Sequence, residues 1–243
     1  MSTLQDKRHS LAHLLAAAVM QLWPNTKRTI GPAIDDGFYF DFEFSQPITD
    51  KDLKRIEAQM RKILPTWTTF ERHDLNAEQA KAEYPGNQYK HELIEEFTAN
   101  GETVSFYKSG EYWDLCKGGH VENMIEIDPN SFKLHKVAGA YWRGDEKNPM
   151  LTRIYGFTFD TKEELEAHLI MLEEATKRDH KKLGPQLDLF VFSELVGPGL
   201  PLWTPKGTLV RQLLDNYVWE LRGAKGYDRV EIPHITKKEL YIS

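Results

Sequence analysis

The sequence contains a single cysteine, Cys116, among its 243 residues, so the chain cannot form an internal disulfide. It lacks any apolar run near the roughly 20 residues that cross a bilayer, and its first residues, MSTLQD, lack the basic-then-apolar pattern of a secretion signal. These absences argue against a disulfide-stabilised secreted domain and against a membrane protein. We therefore expect a cytoplasmic protein without a membrane partner.

An excess of positive charge is also missing, because the formal net charge is -6. That charge argues against general binding of polyanions such as DNA, although an acidic protein can bind RNA where its cations cluster. The densest cluster is KRDHKK, and it offers four candidate phosphate contacts: Lys177, Arg178, Lys181 and Lys182. A solvated helix end, whose cations suit the negative end of the helix dipole, is the alternative.

Hydrophobic periodicity predicts alternating helices and strands. A first helix is expected over 3–23, and the alternation of Phe38, Phe40, Phe42 and Phe44 predicts a strand whose phenylalanine face packs against a core. Further helices are predicted over 49–64, 76–84, 88–98, 162–183 and 208–222. Further strands are predicted within 66–75, 103–121, 132–145 and 150–159.

These elements predict an α+β fold in which a mainly antiparallel sheet packs with helices. Residues 1–160 form the first domain of this prediction, and 161–185 form a linker helix that Gly184-Pro185 ends. Residues 186–243 have a different composition, rich in proline and glycine at first, and we expect them to begin a second domain.

Two histidines stand out in the first helix, within the stretch RHSLAHLLAAAV. His9 and His13 are four residues apart and therefore share one face of the helix. They lie near its positive end, which disfavours imidazolium and helps to keep both rings neutral. Alone this pair is a weak signal, and two hydrogen-bonded structural histidines would produce the same pattern.

A second group lies in the stretch DLCKGGH. Asp114 and Cys116 are two residues apart, so they point to the same face of a strand, and the Gly118-Gly119 turn brings back His120. A buried structural thiol beside a loop histidine is the alternative. Three imidazoles and one thiol form a known tetrahedral zinc set or, without metal, a group of bases and donors. We predict that the two pairs share one functional pocket.

The HxxxH pair followed by CxxxH resembles the editing domain shared by threonyl- and alanyl-tRNA synthetases. Four collinear segments resemble threonyl-tRNA synthetases specifically: LWPNTKRTIGPAIDDGFYFDFEF, AGAYWRGDEKNPMLTRIYGFTF, EEATKRDHKKLGPQLDLF and GPGLPLWTPKGTLVRQLL. The stretch GYDRVEIPHI, residues 226–235, resembles motif 1 of class II synthetases, which builds the dimer interface in that family. The resemblance therefore divides the chain into an editing domain (1–160), a linker helix (161–185) and the start of an aminoacylation domain (186–243).

The resemblance implies hydrolysis of serine wrongly attached to the threonine tRNA. His9 or His13 would position or activate water, and Lys90, which matches a catalytic lysine of the family, would stabilise charge or protonate the leaving oxygen. An exposed helix lysine is the alternative for Lys90. Asp114 would bind the substrate amine. Cys116 and His120 would line the pocket and orient the water or the ribose.

One residue departs from the family pattern. Phe40 stands where the family usually has tyrosine, so a polar contact to the substrate is lost, and Tyr39 points to the other face of the strand. The implied partner is tRNA, with Arg143 and Arg153 as further candidate phosphate contacts, and an ion pair with Asp145 is the alternative for Arg143.

The resemblance also implies which cofactors to expect. We expect no metal at the editing site, as in the threonyl family, while zinc held by His9, His13, Cys116 and His120, as in alanyl-type relatives, is the alternative. ATP, magnesium and a further zinc belong to the catalytic core of the full-length enzyme, which is expected to be a homodimer. Motifs 2 and 3 of that core are not in the sequence, so we expect this polypeptide to show no threonine-dependent pyrophosphate exchange.

Two rival functions remain open from the sequence. The first is a freestanding, zinc-dependent editing hydrolase of the alanyl type. The resemblance to motif 1 argues against it, because such a protein has no use for a class II dimer strand. The second is a non-catalytic tRNA-binding module, which would have no need of the six candidate catalytic residues. Hydrolysis of seryl-tRNA and threonyl-tRNA separates these functions from the predicted one.

Overall fold

The computed structural model of the chain describes residues 2–231, and it divides into two compact units, Met1–Ile170 and Met171–Ser243. The helices are α1 (Leu4–Leu22), α2 (Leu53–Ile63), α3 (Ala77–Ala82), α4 (Gln88–Phe97), α5 (Lys162–Lys177), α6 (His180–Gln186) and α7 (Pro205–Gly223). The strands are β1 (Lys27–Arg28), β2 (Ala33–Ile34), β3 (Gly37–Glu43), β4 (Glu71–Leu75), β5 (Val104–Ser109), β6 (Tyr112–Leu115), β7 (Phe132–Tyr141), β8 (Met150–Thr158), β9 (Phe190–Val191) and β10 (Leu202–Trp203). The predicted α+β class with antiparallel sheets is confirmed.

The larger sheet of the first unit has the strand order β1-β3-β8-β7, with β2 also paired to β3, and every pairing is antiparallel. The alternation predicted for β3 is observed, since Phe38, Phe40 and Phe42 are buried in the main core and Phe44 packs at its edge. Each of these rings removes a large apolar area from water, which is the main force holding the sheet against its helices.

Helix α1 begins where the sequence predicts, because the Thr3 side chain accepts from the Asp6 backbone while the Asp6 carboxylate accepts from the Thr3 backbone. It ends at Leu22, before Pro24. Most of α1 is buried between β3 and α2, with Leu11, Leu14 and Leu15 fully covered. This packing holds α1, and with it His9 and His13, against the sheet.

The smaller sheet, β4-β5-β6, lies in the same unit and packs with α3 and α4 around its own apolar cluster. Asn76 begins α3 as predicted, since its side chain accepts from the Gln79 backbone. The strand predicted within 66–75 begins only at Glu71, because residues 64–66 continue α2 as a 3₁₀ turn. The strand predicted through residue 121 ends at Leu115, ahead of Gly118 and Gly119, which both have positive φ.

The single helix predicted over 162–183 is wrong, because the structure has two helices there. Helix α5 ends at Lys177, and the Asp179 side chain accepts from the Lys181 backbone to begin α6. Aspartate favours such a cap over a helix interior, since its short carboxylate competes for backbone donors. Gly184-Pro185 does not end α6, which continues to Gln186.

The second unit contains α6, the short hairpin β9-β10 and α7. Thr204 caps α7 and Pro205 occupies its first turn, where a missing N–H costs nothing. Residues 226–231 form no strand, and the rest of the strand predicted in GYDRVEIPHI lies outside the described residues. Of the helices described within 2–231, none has the length and apolar character needed to cross a bilayer.

Candidate functional site

Two distant segments of the first unit bring three imidazoles and one thiol together. The Cys116 Sγ lies 3.4 Å from the His9 Nε2 and 3.3 Å from the His120 Nε2. The His13 ring centroid lies 5.1 Å from that of His9 and 4.6 Å from that of His120. One ligand atom from each of the four residues lies within 4.8 Å of all the others.

The loop that carries Cys116 and His120 is fastened to α1 and to the smaller sheet. The Val121 backbone donates to the Ser10 Oγ at 3.0 Å on the same helix as both histidines. The Cys116 backbone exchanges hydrogen bonds with Ser105 of β5. Between these two attachments, Gly118 and Gly119 adopt φ values of 101° and 84°, which side-chain-bearing residues rarely reach. The tight turn is what brings His120 back over Cys116.

Burial controls the protonation of this cluster. Burial, followed by the neighbouring His9, lowers the pKa of His13 to about 3. Burial also lowers the pKa of His9 and, more strongly, that of His120. Burial raises the pKa of the Cys116 thiol to about 11. At neutral pH the cluster therefore holds neutral imidazoles and a protonated thiol, and desolvation is the main cause, rather than the helix dipole that the sequence suggested.

The tautomer of His9 is fixed by one hydrogen bond. Its Nδ1 lies 3.0 Å from the Gly119 carbonyl oxygen, which can only accept, so Nδ1 carries the proton. The Nε2 lone pair is then directed toward the Cys116 thiol. The Nδ1 atoms of His13 and His120 are buried without a hydrogen-bond partner within 2–231. Of the three imidazoles, His9 is therefore the best oriented to accept a proton.

A second cluster of buried charges adjoins the first. Lys90, on α4, is only 2% exposed, so the alternative of an exposed helix lysine is wrong. Its Nζ lies 2.8 Å from the Asp114 Oδ1. Asp114 also accepts from the hydroxyls of Tyr84 and Tyr112 and lies 3.3 Å from the Arg28 Nε. Although burial opposes ionisation, the Lys90 and Arg28 cations hold the pKa of Asp114 well below its usual range.

Both clusters border one cavity of about 460 Å³, a volume within the usual range for small-ligand pockets. The cavity is lined by apolar groups and by five of the six predicted catalytic residues, namely His9, His13, Lys90, Asp114 and Cys116. His120 does not line it, and its ring is stacked on Phe70 with centroids 4.0 Å apart. The arrangement combines neutral proton acceptors with a buried cation, as hydrolysis of an ester requires.

Phe40 also lines the cavity, where it forms part of an apolar wall. Its ring stacks on Phe42 and lies so close to Gly31 that a Cβ there would be 2.1 Å from the Phe40 Cδ2. Tyr39 points to the other face of β3 as predicted, with the Arg153 guanidinium 3.8 Å above its ring. The Tyr39 hydroxyl is therefore not a substitute for the one that Phe40 lacks.

The candidate phosphate contacts are not part of this cavity, and most are already paired. Arg143 bonds Glu96 at 2.7 Å, so the expected alternative partner, Asp145, is wrong. The guanidinium of Arg153 bonds both carboxylate oxygens of Asp41. In the second unit, Lys177 pairs with two glutamates and Arg178 with one of them. The exposed Lys181 and Lys182 make no ion pair with any described residue.

The donor set of His9, His13, Cys116 and His120 fits a zinc ion in kind and in spacing. Ligands of tetrahedral zinc lie roughly 3.3 to 3.7 Å apart, close to the two sulfur–nitrogen distances here. A zinc-bound histidine usually donates its other ring N–H to an acceptor. His9 has such an acceptor, whereas the Nδ1 atoms of His13 and His120 have none among residues 2–231. The four residues could hold zinc, but His13 and His120 lack, among the described residues, the hydrogen-bond acceptor that usually orients a zinc-bound imidazole.

Sequence reasoning missed three residues of the charged cluster. Tyr112 had a usable signal, because it lies two residues before Asp114 on one strand and so faces the same side. Arg28 and Tyr84 had none, since they reach Asp114 from segments 86 and 30 residues away without any regular spacing.

Comparison with known proteins shows what the chain is similar to in sequence. Residues 104–155, which span β5 to β8 and include Asp114, Cys116 and His120, match the family described as the threonyl and alanyl tRNA synthetase second additional domain. The chain is 52% identical over 236 residues to the threonine–tRNA ligase of Gloeobacter violaceus, covering 96% of the chain and 38% of that protein.

Two further relatives give similar results. The chain is 50% identical over 238 residues to the threonine–tRNA ligase of Borreliella burgdorferi, and 48% identical over 240 residues to that of Borrelia hermsii. These alignments cover 98% and 99% of the chain, and 41% of each relative. The chain thus spans about two fifths of the length of the curated relatives it matches. Along nearly all of its length, the chain therefore corresponds to a part of a threonine–tRNA ligase.

Proposed function

We propose that the cavity of the first unit is an editing site, which hydrolyses the ester between serine and a tRNA that should carry threonine. The observation that carries this proposal is the convergence of His9, His13 and Cys116 with the buried Lys90 around one cavity. The whole protein would be a ligase that attaches threonine to its tRNA with ATP and magnesium, and the cavity would correct its errors.

The chemistry of the two amino acids explains why such a site is needed. Serine is threonine without one methyl group, and a pocket built for the larger residue rejects the smaller by only about 1–3 kcal/mol. A second site that admits serine and excludes threonine by size supplies the missing discrimination. The apolar wall at Phe40 and Gly31 is suited to such a size limit.

The hydrolysis can be written with the residues of the cavity. In the substrate complex a water molecule replaces the Cys116 thiol as the partner of the His9 Nε2, which accepts the water proton as the water oxygen attacks the ester carbon. The Lys90 ammonium stabilises the negative charge that develops on the carbonyl oxygen. The carbon–oxygen bond to the ribose then breaks, and the proton held by His9 or Lys90 passes to the leaving ribose oxygen. The products are free serine and uncharged tRNA.

The thiol of Cys116 acts in this scheme as a hydrogen-bonding group. Because burial raises its pKa to about 11, the thiolate that a nucleophilic cysteine needs is scarce at neutral pH. His13 and His120, both neutral, would position the water and the thiol. The role of Asp114 in binding the substrate amine stays a prediction, and its carboxylate is 1% exposed.

Hydrolysis of two esters tests the proposal. The 243-residue chain should deacylate seryl-tRNA prepared on the threonine-specific tRNA and should leave threonyl-tRNA intact. The substitution Lys90→Met should abolish most of this activity, whereas Lys54→Met, at an exposed position of α2, should not change it. Hydrolysis of neither ester would favour the non-catalytic tRNA-binding module.

Metal analysis separates the metal-free site from a zinc hydrolase of the alanyl type. Bound zinc would make its water more acidic and nucleophilic, and His9, His13, Cys116 and His120 would hold it. We propose a metal-free site, so the purified protein should contain little zinc and a chelator should not reduce hydrolysis. Stoichiometric zinc that is lost on Cys116→Ala would contradict this part of the proposal.

We also propose the domain organisation, the location and the partners of the whole protein. Residues 161–185 would connect the editing domain to the start of a class II aminoacylation domain at 186–243. The protein would act as a cytoplasmic homodimer whose partner is the threonine tRNA. Leu213, Leu214 and Tyr217 are exposed on the amphipathic helix α7. In the complete enzyme, we expect other parts of the protein to cover this apolar face.

A further inference from the structure

Two buried cations share a single carboxylate in the first unit. The Lys90 Nζ lies 2.8 Å and the Arg28 Nε lies 3.3 Å from the same oxygen of Asp114. The Tyr84 and Tyr112 hydroxyls donate to this carboxylate, and burial raises the pKa of both phenols well above 10, so both are uncharged. With all groups ionised as usual, the cluster carries one positive charge in excess.

The two cations reach Asp114 from different sides. Lys90 lines the 460 Å³ cavity, whereas Arg28 does not. Arg28 instead lines a separate concavity of about 390 Å³, together with Gln21, Trp67 and Trp113. Asp114 therefore lies between a lysine that a substrate can touch and an arginine that it does not.

Arg28 is held in place independently of Lys90. Its Nη2 donates to the Trp113 carbonyl at 3.1 Å, and its guanidinium lies 5.0 Å and 5.1 Å from the ring centroids of Tyr84 and Tyr112. Although burial opposes it, Asp114 holds the pKa of Arg28 well above its ordinary value. The guanidinium is thus charged at every pH of interest.

The charged form of Lys90 is less strongly favoured than that of Arg28. Burial lowers the pKa of Lys90, Asp114 opposes this shift and Arg28 adds to it. An excess charge in a buried cluster is costly to leave unpaired, and a ligand that brings a negative charge removes that cost. The cation facing the cavity is therefore the one with spare capacity for a ligand.

We propose that Arg28 is a second, permanently charged counter-ion of Asp114, which leaves the Lys90 ammonium only partly compensated and ready for the oxyanion that forms on the ester. This inference rests on the proposed editing reaction and adds to it a positioning residue that does not contact the substrate. Removal of the Arg28 charge leaves Lys90 as the only counter-ion of Asp114, so the field at the developing oxyanion weakens without change to the cavity wall.

Hydrolysis of seryl-tRNA by Arg28 variants tests the proposal. The neutral variants Arg28→Met and Arg28→Gln should lower kcat by about tenfold, below the effect of removing a direct oxyanion donor, and leave KM unchanged. Arg28→Lys keeps the charge and should retain more of kcat than either. Arg55→Met is the control, because Arg55 also lies over an aromatic ring, that of Trp23, but does not belong to the cluster.

Ligand binding gives a second readout that does not need turnover. A neutral amide analogue of seryl-adenosine should bind the parent and the neutral variants equally. A phosphonate analogue, which carries the negative charge of the tetrahedral intermediate, should bind the neutral variants about tenfold more weakly than the parent. Equal loss of affinity for both analogues would overturn the proposal, because Arg28 would then shape the cavity.

The outcomes separate this inference from the function on which it rests. A parent chain that neither hydrolyses seryl-tRNA nor binds the amide analogue contradicts the editing function itself. A parent that hydrolyses the ester, with neutral variants of equal kcat, overturns only the role of Arg28. Neutral variants that do not fold would also overturn it, since Arg28 would then be a structural residue.

Discussion

At the scale of single residues, the proposed chemistry of the site depends on imidazoles that stay neutral. His9 is the residue whose accepting nitrogen is fixed, because its other nitrogen donates to the Gly119 carbonyl. Lys90 is the residue whose charge is hidden from solvent yet borders the cavity. Burial lowers the pKa of both groups.

The pH dependence of hydrolysis follows from His9. A proton acceptor must be unprotonated, and burial lowers the pKa of His9 below its ordinary 6.5. The rate should therefore rise with pH through an acidic limb that lies below pH 6.5 and stay high at neutral pH. Single-turnover hydrolysis of seryl-tRNA from pH 5 to 8, corrected for spontaneous hydrolysis, measures this limb, and a midpoint above pH 6.5 would exclude His9 as the acceptor.

Part of the site was predictable from single residues and part was not. Spacing i, i+4 places two histidines on one helix face, and a tight loop returns His120 to Cys116, so each pair follows from local geometry. The convergence of the two pairs depends on tertiary folding, because His9 and Cys116 are 107 residues apart. The burial of Lys90 also had a signal, because the buried Ile94 lies four residues further along the same face of α4. Arg28 had no such signal, since only tertiary folding brings β1 beside β6.

At the scale of elements, the larger sheet determines where the cavity wall lies. Gly156 of β8 is opposite Phe38 of β3, and the Phe38 ring lies over the glycine. A Cβ at Gly156 would be 2.5 Å from the Phe38 Cζ. The absence of a side chain there lets β3 keep its phenylalanine face flat against α1 and so positions Phe40 at the cavity.

Substitution of this glycine should destabilise the first unit. Gly156→Ala should lower its free energy of unfolding by about 1–3 kcal/mol, the usual cost of an overpacked core. Gly139→Ala, in β7 of the same sheet, is the matched control, because its Cβ would meet only the flexible side chain of Met150. Urea unfolding of both variants checks the prediction, and equal losses would contradict it.

Most elements were predictable because their periodicity and their caps agree. Thr3 and Asn76 begin helices as their sequences indicate, and the alternating phenylalanines define β3. The break at Asp179 was missed, because its neighbours all favour a helix and only the capping preference of aspartate marks the boundary. The early end of β6 follows from Gly118 and Gly119, whose backbone conformation does not continue a strand.

At the scale of the whole molecule, burial of neutral imidazoles makes stability depend on pH. His13 has a pKa of about 3 in the folded state and an ordinary 6.5 in the unfolded chain. Its contribution is therefore complete above pH 6.5 and declines as the pH falls, because the unfolded state then binds the additional proton. Asp114 behaves differently, since its depressed pKa keeps its contribution intact until the pH falls below about 4.

Unfolding at two pH values measures this contribution. Between pH 7.5 and pH 5, His13 alone should remove about 2 kcal/mol from the free energy of unfolding of the first unit. In His13→Gln, whose side chain does not titrate, the difference between the two pH values should be smaller by that amount. A difference equal to that of the parent would show that His13 is protonated in the folded state.

Binding of tRNA should depend on the cations that carry no protein partner. Lys181 and Lys182 are exposed without ion pairs among the described residues, whereas Lys177 and Arg178 already contact glutamates. If the two free lysines bind phosphate, Lys181→Ala with Lys182→Ala should reduce the slope of log affinity against log salt by about 1 to 2. The control is the replacement of Lys54 and Lys62, two exposed lysines of α2, by alanine, which should leave the slope unchanged.

The result of the salt titration decides between two interpretations of KRDHKK. A reduced slope together with weaker binding would assign the two lysines to the tRNA surface. A slope equal to that of the parent would favour solvated lysines without a role in binding. Because Lys181 and Lys182 lie in the first turn of α6, at the positive end of its dipole, the dipole does not stabilise them.

If the cavity edits as proposed, the turn at Gly118 and Gly119 makes the accuracy of tRNA charging sensitive to two positions that take no part in the chemistry. A Cβ at Gly118 would lie 2.6 Å from the Tyr107 hydroxyl. In addition, Gly118 and Gly119 both have positive φ values, which residues with side chains rarely adopt. Saturation mutagenesis followed by a screen for cells that misincorporate serine should therefore recover substitutions of Gly118 and Gly119 together with substitutions of His9 and Lys90. Growth under conditions that tolerate such errors should remain normal, because the fault would lie in proofreading alone.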